Sequence, residues 1–289
     1  MIDPQTLLNW PFEPIEHRFG ASDTALYALG IGLGSDPMDP SQLRFVTHES
    51  PALQAFPTMA VVLARPASFS ADPASGIDHR MVVHGEQGLE LLRPLPASGT
   101  VTGRSQITQL VDKGPGRGAV IYVQTTLENP QGDIIARLWS ATFARADGGF
   151  GGNPAAPRIP HPIPHPIPDR APDAIVDLPT FPNAALLYRL NGDLNPLHSD
   201  PETARAAGFP RPILHGLCTY GIAARAVLGQ FCDHDPARLK RFDLRFSAPV
   251  FPGETIAVRM WRNGPEIAFQ AQICDRQAKV IDNGLALIA

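Results

Sequence analysis

Hydrophobic and polar residues alternate over several short stretches of this chain, a pattern that is typical of β-strands. The clearest run, residues 241–246, reads RFDLRF, so that apolar side chains fall on one face and charged ones on the other. Similar runs occur at Ala119–Thr126, Ile134–Phe143, Ile256–Trp261 and Ile267–Ile273. Because successive side chains of a strand point to opposite faces, these runs predict an antiparallel sheet with one buried side.

One longer segment has a different pattern and predicts a helix. Residues from Leu217 to Phe231 are rich in alanine and leucine and contain no proline, as expected of a buried helix. At 1.5 Å per residue such a helix would be roughly 22 Å long. That length is sufficient to fill the concave side of a curved sheet.

The two halves of the chain look like diverged copies of one unit. A shift of 155 positions places Pro94 on Pro249 and Thr100 on Thr255, and each of these pairs opens a β-rich run. Residues 147–173 between the copies are so rich in proline that their backbone should be extended, as a strap or a semi-rigid linker. We therefore expect an N-terminal unit at residues 1–146, the linker at 147–173 and a C-terminal unit at 174–289.

A His-Gly pair precedes each β-rich run, at positions 84–85 and 215–216. The glycine of the first pair lies 9 positions before Pro94 and that of the second lies 33 before Pro249, so the second half has 24 additional residues. If the two pairs are equivalent, the first unit has a reduced central helix or none. An apolar concavity without its helix is costly unless a ligand fills it, so we infer an acyl-chain tunnel in the first unit.

Length and composition fit a globular protein of two ordinary domains, with 289 residues, 44% hydrophobic and 18% charged. The formal net charge of −4 and the lack of a clustered basic face argue against nucleic acid as a partner. No run of about 18 apolar residues is present, so we expect no membrane span and no membrane partner.

Several features favour a cytoplasmic enzyme without a metal. The chain start has no basic region followed by an apolar stretch, and the chain end is not the peroxisomal Ser-Lys-Leu signal. Cys218, Cys232 and Cys274 lack metal-ligand spacing and are expected to be reduced, packed thiols. His161 and His165 of the linker have no acidic or cysteine neighbours that would complete a metal site.

The chemically interesting segment spans residues 188–216. Asp193, Asn195, His198 and Asp200 fall within eight positions and are interrupted by prolines, so they should lie on a stiff turn. Asp200 is expected to cap a helix at residues 202–207. The other three offer a carboxylate, an amide and an imidazole, the groups that position and deprotonate a water. An ordinary hydrogen-bonded turn would contain the same residues, so spacing alone leaves both interpretations open.

The stretch from Tyr188 to Pro201, YRLNGDLNPLHSDP, resembles the hydratase 2 signature of the MaoC-like family, the (R)-specific enoyl-CoA hydratases with a hot-dog fold. The similarity extends to ALYALGIG at residues 25–32, to ILHGL at 213–217 and to RFSAPVFPG at 245–253. Asn191 stands where the family often has Ser or Thr. The two-part layout resembles double hot-dog members, which implies an α+β fold of two antiparallel sheets with a long central helix in the C-terminal unit.

The resemblance also implies roles for particular residues. Asp193 and His198 would be the acid/base pair, Asn195 would help to hold water or carbonyl, and the Gly216 amide would donate to the thioester oxygen. Gly216 also begins the predicted helix, where unpaired N–H groups and the positive end of the dipole lie. The positions expected to contact substrate or CoA are His84, Gly85, Lys113 and Phe246.

We therefore expect a hydro-lyase that interconverts trans-2-enoyl-CoA and (3R)-3-hydroxyacyl-CoA. CoA arrives as part of the substrate, so no separate cofactor is expected, and a homodimer is the expected assembly. Three other functions stay open. They are an acyl-CoA thioesterase, a dehydratase of branched or dicarboxylic 3-hydroxyacyl-CoA, and a non-enzymatic acyl-binding protein.

Overall fold

A computed structural model describes residues 1–47, 52–151 and 164–289 of the chain. The first part begins with three short helices and one strand, α1 (Pro4–Leu8), β1 (Ile15–Phe19), α2 (Ala21–Gly30) and α3 (Pro40–Leu43). Four 3-10 helices follow, at Pro57–Val62, Phe69–Ala71, Pro73–Ser75 and His79–Met81. Four long strands complete it, β2 (Val82–Leu91), β3 (Gly99–Asp112), β4 (Ala119–Glu128) and β5 (Ile134–Ala144).

The second part repeats this plan with a longer central helix. It opens with β6 (Ala174–Pro179), α4 (Ala184–Tyr188), two 3-10 helices (Arg189–Asn191 and Pro196–His198), α5 (Pro201–Ala206) and α6 (Gly216–Phe231). A 3-10 helix (Pro236–Arg238) then leads into β7 (Leu239–Phe246), β8 (Thr255–Asn263), β9 (Glu266–Ile273) and β10 (Lys279–Ile288). We call β1–β5 with their helices the first unit and β6–β10 with theirs the second unit.

The described strands form one antiparallel sheet in the order β1-β3-β4-β5-β2-β7-β10-β9-β8-β6. Each unit contributes five strands in the same relative order, and the pairing of β2 with β7 joins the two halves. Gly88 faces Asp243 at the centre of this seam. The register is symmetric about that pair, so the units are related by a pseudo-twofold axis. The two expected sheets are therefore joined edge to edge within one chain.

The strand and helix predictions from the alternating and alanine-rich segments are also confirmed. The runs at residues 119–126, 134–143, 256–261 and 267–273 lie in β4, β5, β8 and β9. The long helix α6 contains the predicted segment, eleven of its residues are buried, and it packs against β6, β7 and β8. Asp200 caps α5 as expected, because its carboxylate accepts hydrogen bonds from the amides of Glu202 and Thr203.

The equivalence of the two His-Gly pairs is wrong. His84 and Gly85 lie inside strand β2, whereas His215 is the residue before helix α6, so a strand was compared with a loop. Before β2 the two units are related by 161 positions, because Ile15 pairs with Gly103 and Val176 with Val258, and this shift places the 3-10 helix Pro57–Val62 on residues 218–223 of α6. That short helix is the reduced counterpart of α6, and it precedes β2 in the chain.

The reduced helix occupies the interior of the first unit. Every side chain from Pro57 to Val62 is buried, and the helix packs against α6, β2 and β5. An acyl chain would therefore have to pass beside it, and the tunnel stays a prediction. A single apolar cluster continues from this helix into the second unit, while a smaller one lies under α1 on β3 and β4.

Part of the expected linker is described, and it lies against the sheet. The indole N–H of Trp261 donates to the carbonyl of Arg170 at 2.8 Å, and the side-chain amide of Asn283 donates to the carbonyl of His165 at 2.9 Å. His161 and the rest of residues 152–163 lie outside the described residues. Within the described ranges, no helix has the length and apolar character that crossing a membrane requires.

Candidate active site

A tight turn after α4 presents the predicted Asp193–His198 segment. Gly192 has a φ of 100°, in the left-handed region where glycine is favoured, and reverses the chain just before Asp193. Pro196 then starts the 3-10 helix that carries His198. The Asn195 side chain caps this helix by accepting from the amide of Leu197 at 3.0 Å.

Asp193 and His198 lie together, as the sequence predicted. A carboxylate oxygen of Asp193 and a ring nitrogen of His198 lie within 4.8 Å of each other. The amide of Asn195 donates to Asp193 Oδ1 at 3.3 Å. Nδ1 of His198 donates to the carbonyl of Ile213 at 2.9 Å. Because a carbonyl can only accept, this bond fixes the tautomer and leaves the lone pair on Nε2 when the ring is neutral.

His215 completes the cluster, although the sequence analysis treated it only as part of a His-Gly pair. Its Nε2 donates to the backbone carbonyl of Asp193 at 3.1 Å. Its ring stacks on that of His198 with centroids 3.8 Å apart and planes inclined by 27°. The residue is 1% exposed, and its Nδ1 has no hydrogen-bond partner among the described residues. His215 therefore contacts both predicted residues, through a hydrogen bond to the Asp193 backbone and a stack on the His198 ring.

The electrostatics of the cluster favour an ionised carboxylate beside neutral imidazoles. Burial opposes ionisation of Asp193, but the positive charge of Arg65 and the amide of Asn195 outweigh it and hold the pKa of the carboxyl below its usual range. Burial lowers the pKa of His198. Burial and the adjacent His198 lower the pKa of His215 to about 4. At neutral pH the site therefore holds an anion and two uncharged rings.

Gly216 lies directly beyond His215, as the first residue of α6. Its N–H donates to no other described residue, as is usual for the first amides of a helix. A methyl group on Gly216 would lie 3.5 Å from the ring of Phe246. The Phe246 ring therefore lies about one methyl group's width from the start of α6.

His84 and Gly85 of the first unit approach the same region. The ring centroids of His84 and Phe246 are 5.0 Å apart. Gly85 is the extra residue of a β-bulge, because His84 pairs with Thr142 and the residue after Gly85 pairs with Ala141. Bulges redirect a side chain, and this one turns His84 toward the second unit. Burial, followed by the charge of Arg65, lowers the pKa of His84 to about 4.

Lys113 lies farther out, on the hairpin between β3 and β4. Its ammonium group lies 5.3 Å from the centroid of the Phe143 ring, and Phe143 pairs with Val83 next to His84. Lys113 is exposed at the same end of the sheet as His84. Its predicted contact with CoA phosphates, like the substrate contact of Asn195, stays a prediction.

Arg65 is a site residue that the sequence analysis missed. Its Nη1 lies 3.5 Å from Oδ2 of Asp193, across the boundary between the units. The two residues are 128 positions apart, and no local pattern in the sequence reports such a contact.

Asp193, His198 and His215 also offer the oxygen and nitrogen donors that transition metals bind. The two rings are stacked, so their in-plane lone pairs run side by side instead of converging on one point. One nitrogen of each ring is already engaged with a backbone carbonyl. The geometry is better suited to a hydrogen-bonded water than to an ion, and a site without metal remains our expectation.

Comparison with known proteins places this fold and site in a family. Residues 17–146 match the MFE-2 hydratase 2 N-terminal domain, and residues 165–283 match the MaoC like domain. A protein of Dictyostelium discoideum described as a probable enoyl-CoA hydratase 2 is 43% identical over 99% of this chain and 97% of its own length. The crystal structure of a MaoC-like dehydratase from Phytophthora capsici is 37% identical, with a TM-score of 0.87, and the match covers 100% of this chain and 99% of that one.

A more distant structure supports the fold alone. A Mycobacterium tuberculosis protein described as having a double hotdog fold is 14% identical, with a TM-score of 0.57 over 96% of this chain and 95% of its own. The molecule is therefore a double hot-dog protein whose second unit carries a carboxylate and an imidazole beside a helix start. By its matches over nearly the whole length, the chain belongs to the MaoC-like hydratase 2 family and is a hydro-lyase.

Proposed function

We propose that this enzyme reversibly hydrates trans-2-enoyl-CoA to (3R)-3-hydroxyacyl-CoA. The observation that carries the proposal is the cluster of Asp193, His198 and the unpaired amide of Gly216 at the start of α6. The description of the Dictyostelium relative as a probable enoyl-CoA hydratase 2 supports the substrate class.

The proposed pair can orient the attacking water. An ionised Asp193 and the Nε2 lone pair of a neutral His198 are both hydrogen-bond acceptors. A water between them would donate a hydrogen to each and leave an oxygen lone pair free to attack carbon 3 of the enoyl group. An imidazole is ordinarily more basic than a carboxylate by roughly two pKa units, so we assign the removed proton to His198. The protonated His198 can then return this proton to carbon 2, which restores the neutral imidazole.

The charge that develops on the thioester oxygen needs a donor already in place. The Gly216 amide stands at the N-terminus of a 16-residue helix, where the helix dipole is positive. A single donor of this kind contributes about 10²–10³-fold to the rate of comparable reactions. All steps are proton transfers and carbonyl polarisation, so the proposed reaction requires no metal or redox cofactor.

The first unit supplies the rest of the proposed substrate path. His84 and Phe246 would border the thioester, Gly85 allows the bulge that orients His84, and Lys113 would meet the CoA phosphates as a point charge. We further propose a cytoplasmic location, because the three cysteines are free thiols. We also propose a homodimer, because Leu186, Leu190 and Leu194 stand exposed on the outer surface.

The decisive experiment compares Asp193→Asn with Asp200→Asn in the same segment. Asp200→Asn keeps the helix cap, because asparagine caps as well as aspartate, and it should hydrate crotonyl-CoA at the wild-type rate. Asp193→Asn and His198→Gln should each lower kcat by about 10²–10⁴-fold with KM changed only a few-fold. If Asp193→Asn stays as active as Asp200→Asn, the pair is not the acid/base machinery.

The alternative functions separate in the same assay. Free thiol released from saturated acyl-CoA by the wild type would indicate a thioesterase. Hydration of short, long, branched and dicarboxylic enoyl-CoA, with chiral analysis of the product, identifies the preferred acyl chain and tests the (3R) configuration. An acyl-binding protein would turn over none of these substrates.

A further inference from the structure

Arg65 reaches the second unit from a turn that the first unit holds firmly. Ala64, just before it, has a φ of 48° in the left-handed region, which is uncommon for a residue with a side chain. The Ala64 amide donates to Nδ1 of His17 on strand β1 at 3.1 Å. Arg65 precedes Pro66, and a residue in that position is disfavoured in a helix, so the 3-10 helix cannot continue through the turn.

Strand β3 closes on the same turn from its other side. A methyl group at Gly103 would lie 2.7 Å from the carbonyl oxygen of Ala64, so only glycine permits this approach. Ala64 is buried, with 1% of its surface exposed. The base of the Arg65 side chain is thus fixed by contacts on β1 and β3 that have no direct part in the active site.

The guanidinium of Arg65 lies among the charged and titratable groups of the site. Its positive charge lowers the pKa of both Asp193 and His84. At 3.5 Å its contact with Asp193 is an ion pair at the limit of a hydrogen bond, with 43% and 29% of the two side chains exposed. The other titratable groups that interact with Asp193 are His84, His198, His215 and Tyr188, and burial lowers the pKa of the three histidines. Arg65 is therefore the positive charge that balances the Asp193 carboxylate.

We propose that Arg65 is a positioning residue of the hydratase reaction, by which the first unit holds the Asp193 carboxylate of the second. The inference rests on the proposed function, since it assigns Arg65 a part in that reaction. It gives the first unit a role in the chemical step in addition to binding. A substrate-binding Arg65, which would grip a CoA phosphate or an acyl carboxylate, is the competing role.

The test measures kcat and KM for enoyl-CoA hydration between pH 3.5 and 9 in Arg65→Gln, Arg65→Lys and the control Arg93→Gln, with circular dichroism at each pH as the control for unfolding. Arg93 is another half-exposed arginine of the first unit, paired with Asp133 at 3.1 Å. Without the charge of Arg65, burial raises the pKa of Asp193, so protonation inactivates the site at a higher pH. For Arg65→Gln we expect the step of the acid limb of kcat/KM that is due to Asp193 to move up by about 0.5–1 pH unit. Because the pKa of Asp193 lies below its usual range, the rate deficit should be a few-fold near pH 4 and small at pH 8, with KM near its wild-type value.

Arg65→Lys should restore most of the acid limb, and Arg93→Gln should match the wild type throughout. Because Arg65 also acts on His84, the Arg65→Gln shift is measured again in a His84→Gln background, where it should persist. A raised KM with an unmoved acid limb, or loss of the shift in the His84→Gln background, would overturn the proposal. An inactive wild type would instead refute the proposed function, so the two failures are distinguishable.

Discussion

His215 touches both members of the proposed pair, and its two contacts have different consequences. The hydrogen bond to the Asp193 carbonyl requires a proton on Nε2, which the neutral ring carries. The stack on His198 places a second ring within 3.8 Å, so two positive charges there would repel each other strongly. When His198 takes a proton from water, His215 must therefore stay neutral and keep its bond to Asp193.

The pH dependence of the wild type tests this electrostatic arrangement. Both Asp193 and His198 act in their unprotonated forms, and the pKa of each is lowered. Activity should therefore persist below about pH 6.5, the ordinary pKa of histidine, and decline only as these groups become protonated. We expect the acid limb of kcat/KM below that value, with circular dichroism at each pH as the control for unfolding. If the acid limb of kcat/KM lies at or above pH 6.5, burial does not lower the pKa of His198 in the working enzyme.

Some residues of the candidate site could be predicted from the sequence and others could not, for identifiable reasons. Asp193, His198 and Gly216 belong to contiguous signature segments, so a resemblance was enough to find them. His215 was visible in the same segment, but its contacts depend on the packing of α6 against the turn. Arg65 could not be found, because its contact is set by a left-handed turn and two strands distant in sequence.

The shortened helix is the main difference between the two units. The segment from Pro57 forms only a six-residue 3-10 helix, which ends in the Ala64 turn, whereas α6 continues for 16 residues. The sequence analysis expected a reduced helix but placed the loss after Gly85. The shift of 155 positions aligns strands β2 and β3 with β7 and β8, but the segments before these strands are related by 161 positions, so it could not locate the short helix.

The contact of β3 with the Ala64 turn yields a prediction for a residue outside the site. Gly103→Ala would place a methyl group 2.8 Å from the Ala64 Cβ, so the turn and Arg65 must move. We expect a loss of about 1–3 kcal/mol of unfolding free energy and an acid-limb shift like that of Arg65→Gln. Gly20→Ala is the matched control, since its new methyl would be 3.8 Å from its nearest neighbour. Unchanged pH–rate profiles in both variants would show that the turn does not depend on Gly103.

At the scale of the whole molecule, the seam between β2 and β7 contains a buried acid. Asp243 accepts from Nε of Arg241 at 2.6 Å, yet only 14% of its side chain is exposed and its Oδ1 has no partner among the described residues. Burial outweighs the effect of Arg241 and raises the pKa of Asp243 to about 7.

Stability should therefore depend on pH through Asp243. Between about pH 4 and 7 the folded chain holds a proton that the unfolded chain releases, so the raised pKa makes unfolding easier as pH rises. Relative to the wild type, Asp243→Asn should gain about 1–3 kcal/mol in urea unfolding on going from pH 5 to pH 8. Asp133→Asn, at an exposed ion pair, should show no such trend. A constant difference between Asp243→Asn and the wild type would mean that Asp243 is ionised throughout.

The sequence predicts more about the fold of each unit than about the way in which the two units join. Alternation and the internal shift indicated two similar units, and the family resemblance supplied the hot-dog fold. The strands that meet at the seam could not be identified, because every strand of such a sheet has an apolar and a polar face. The hydrophobic pattern therefore does not show which strands pair edge to edge.

The sheet is symmetric, but only the second unit contains the proposed acid/base pair. We therefore expect one substrate site per polypeptide. The register of β1 with β3 and of β6 with β8 relates this part of the two units by 161 positions, so Asp193 and His198 fall on Gly32 and Pro37, which cannot exchange protons. A non-hydrolysable thioester analogue titrated by calorimetry should therefore saturate at one equivalent per polypeptide, although each polypeptide contains two copies of the ancestral repeat.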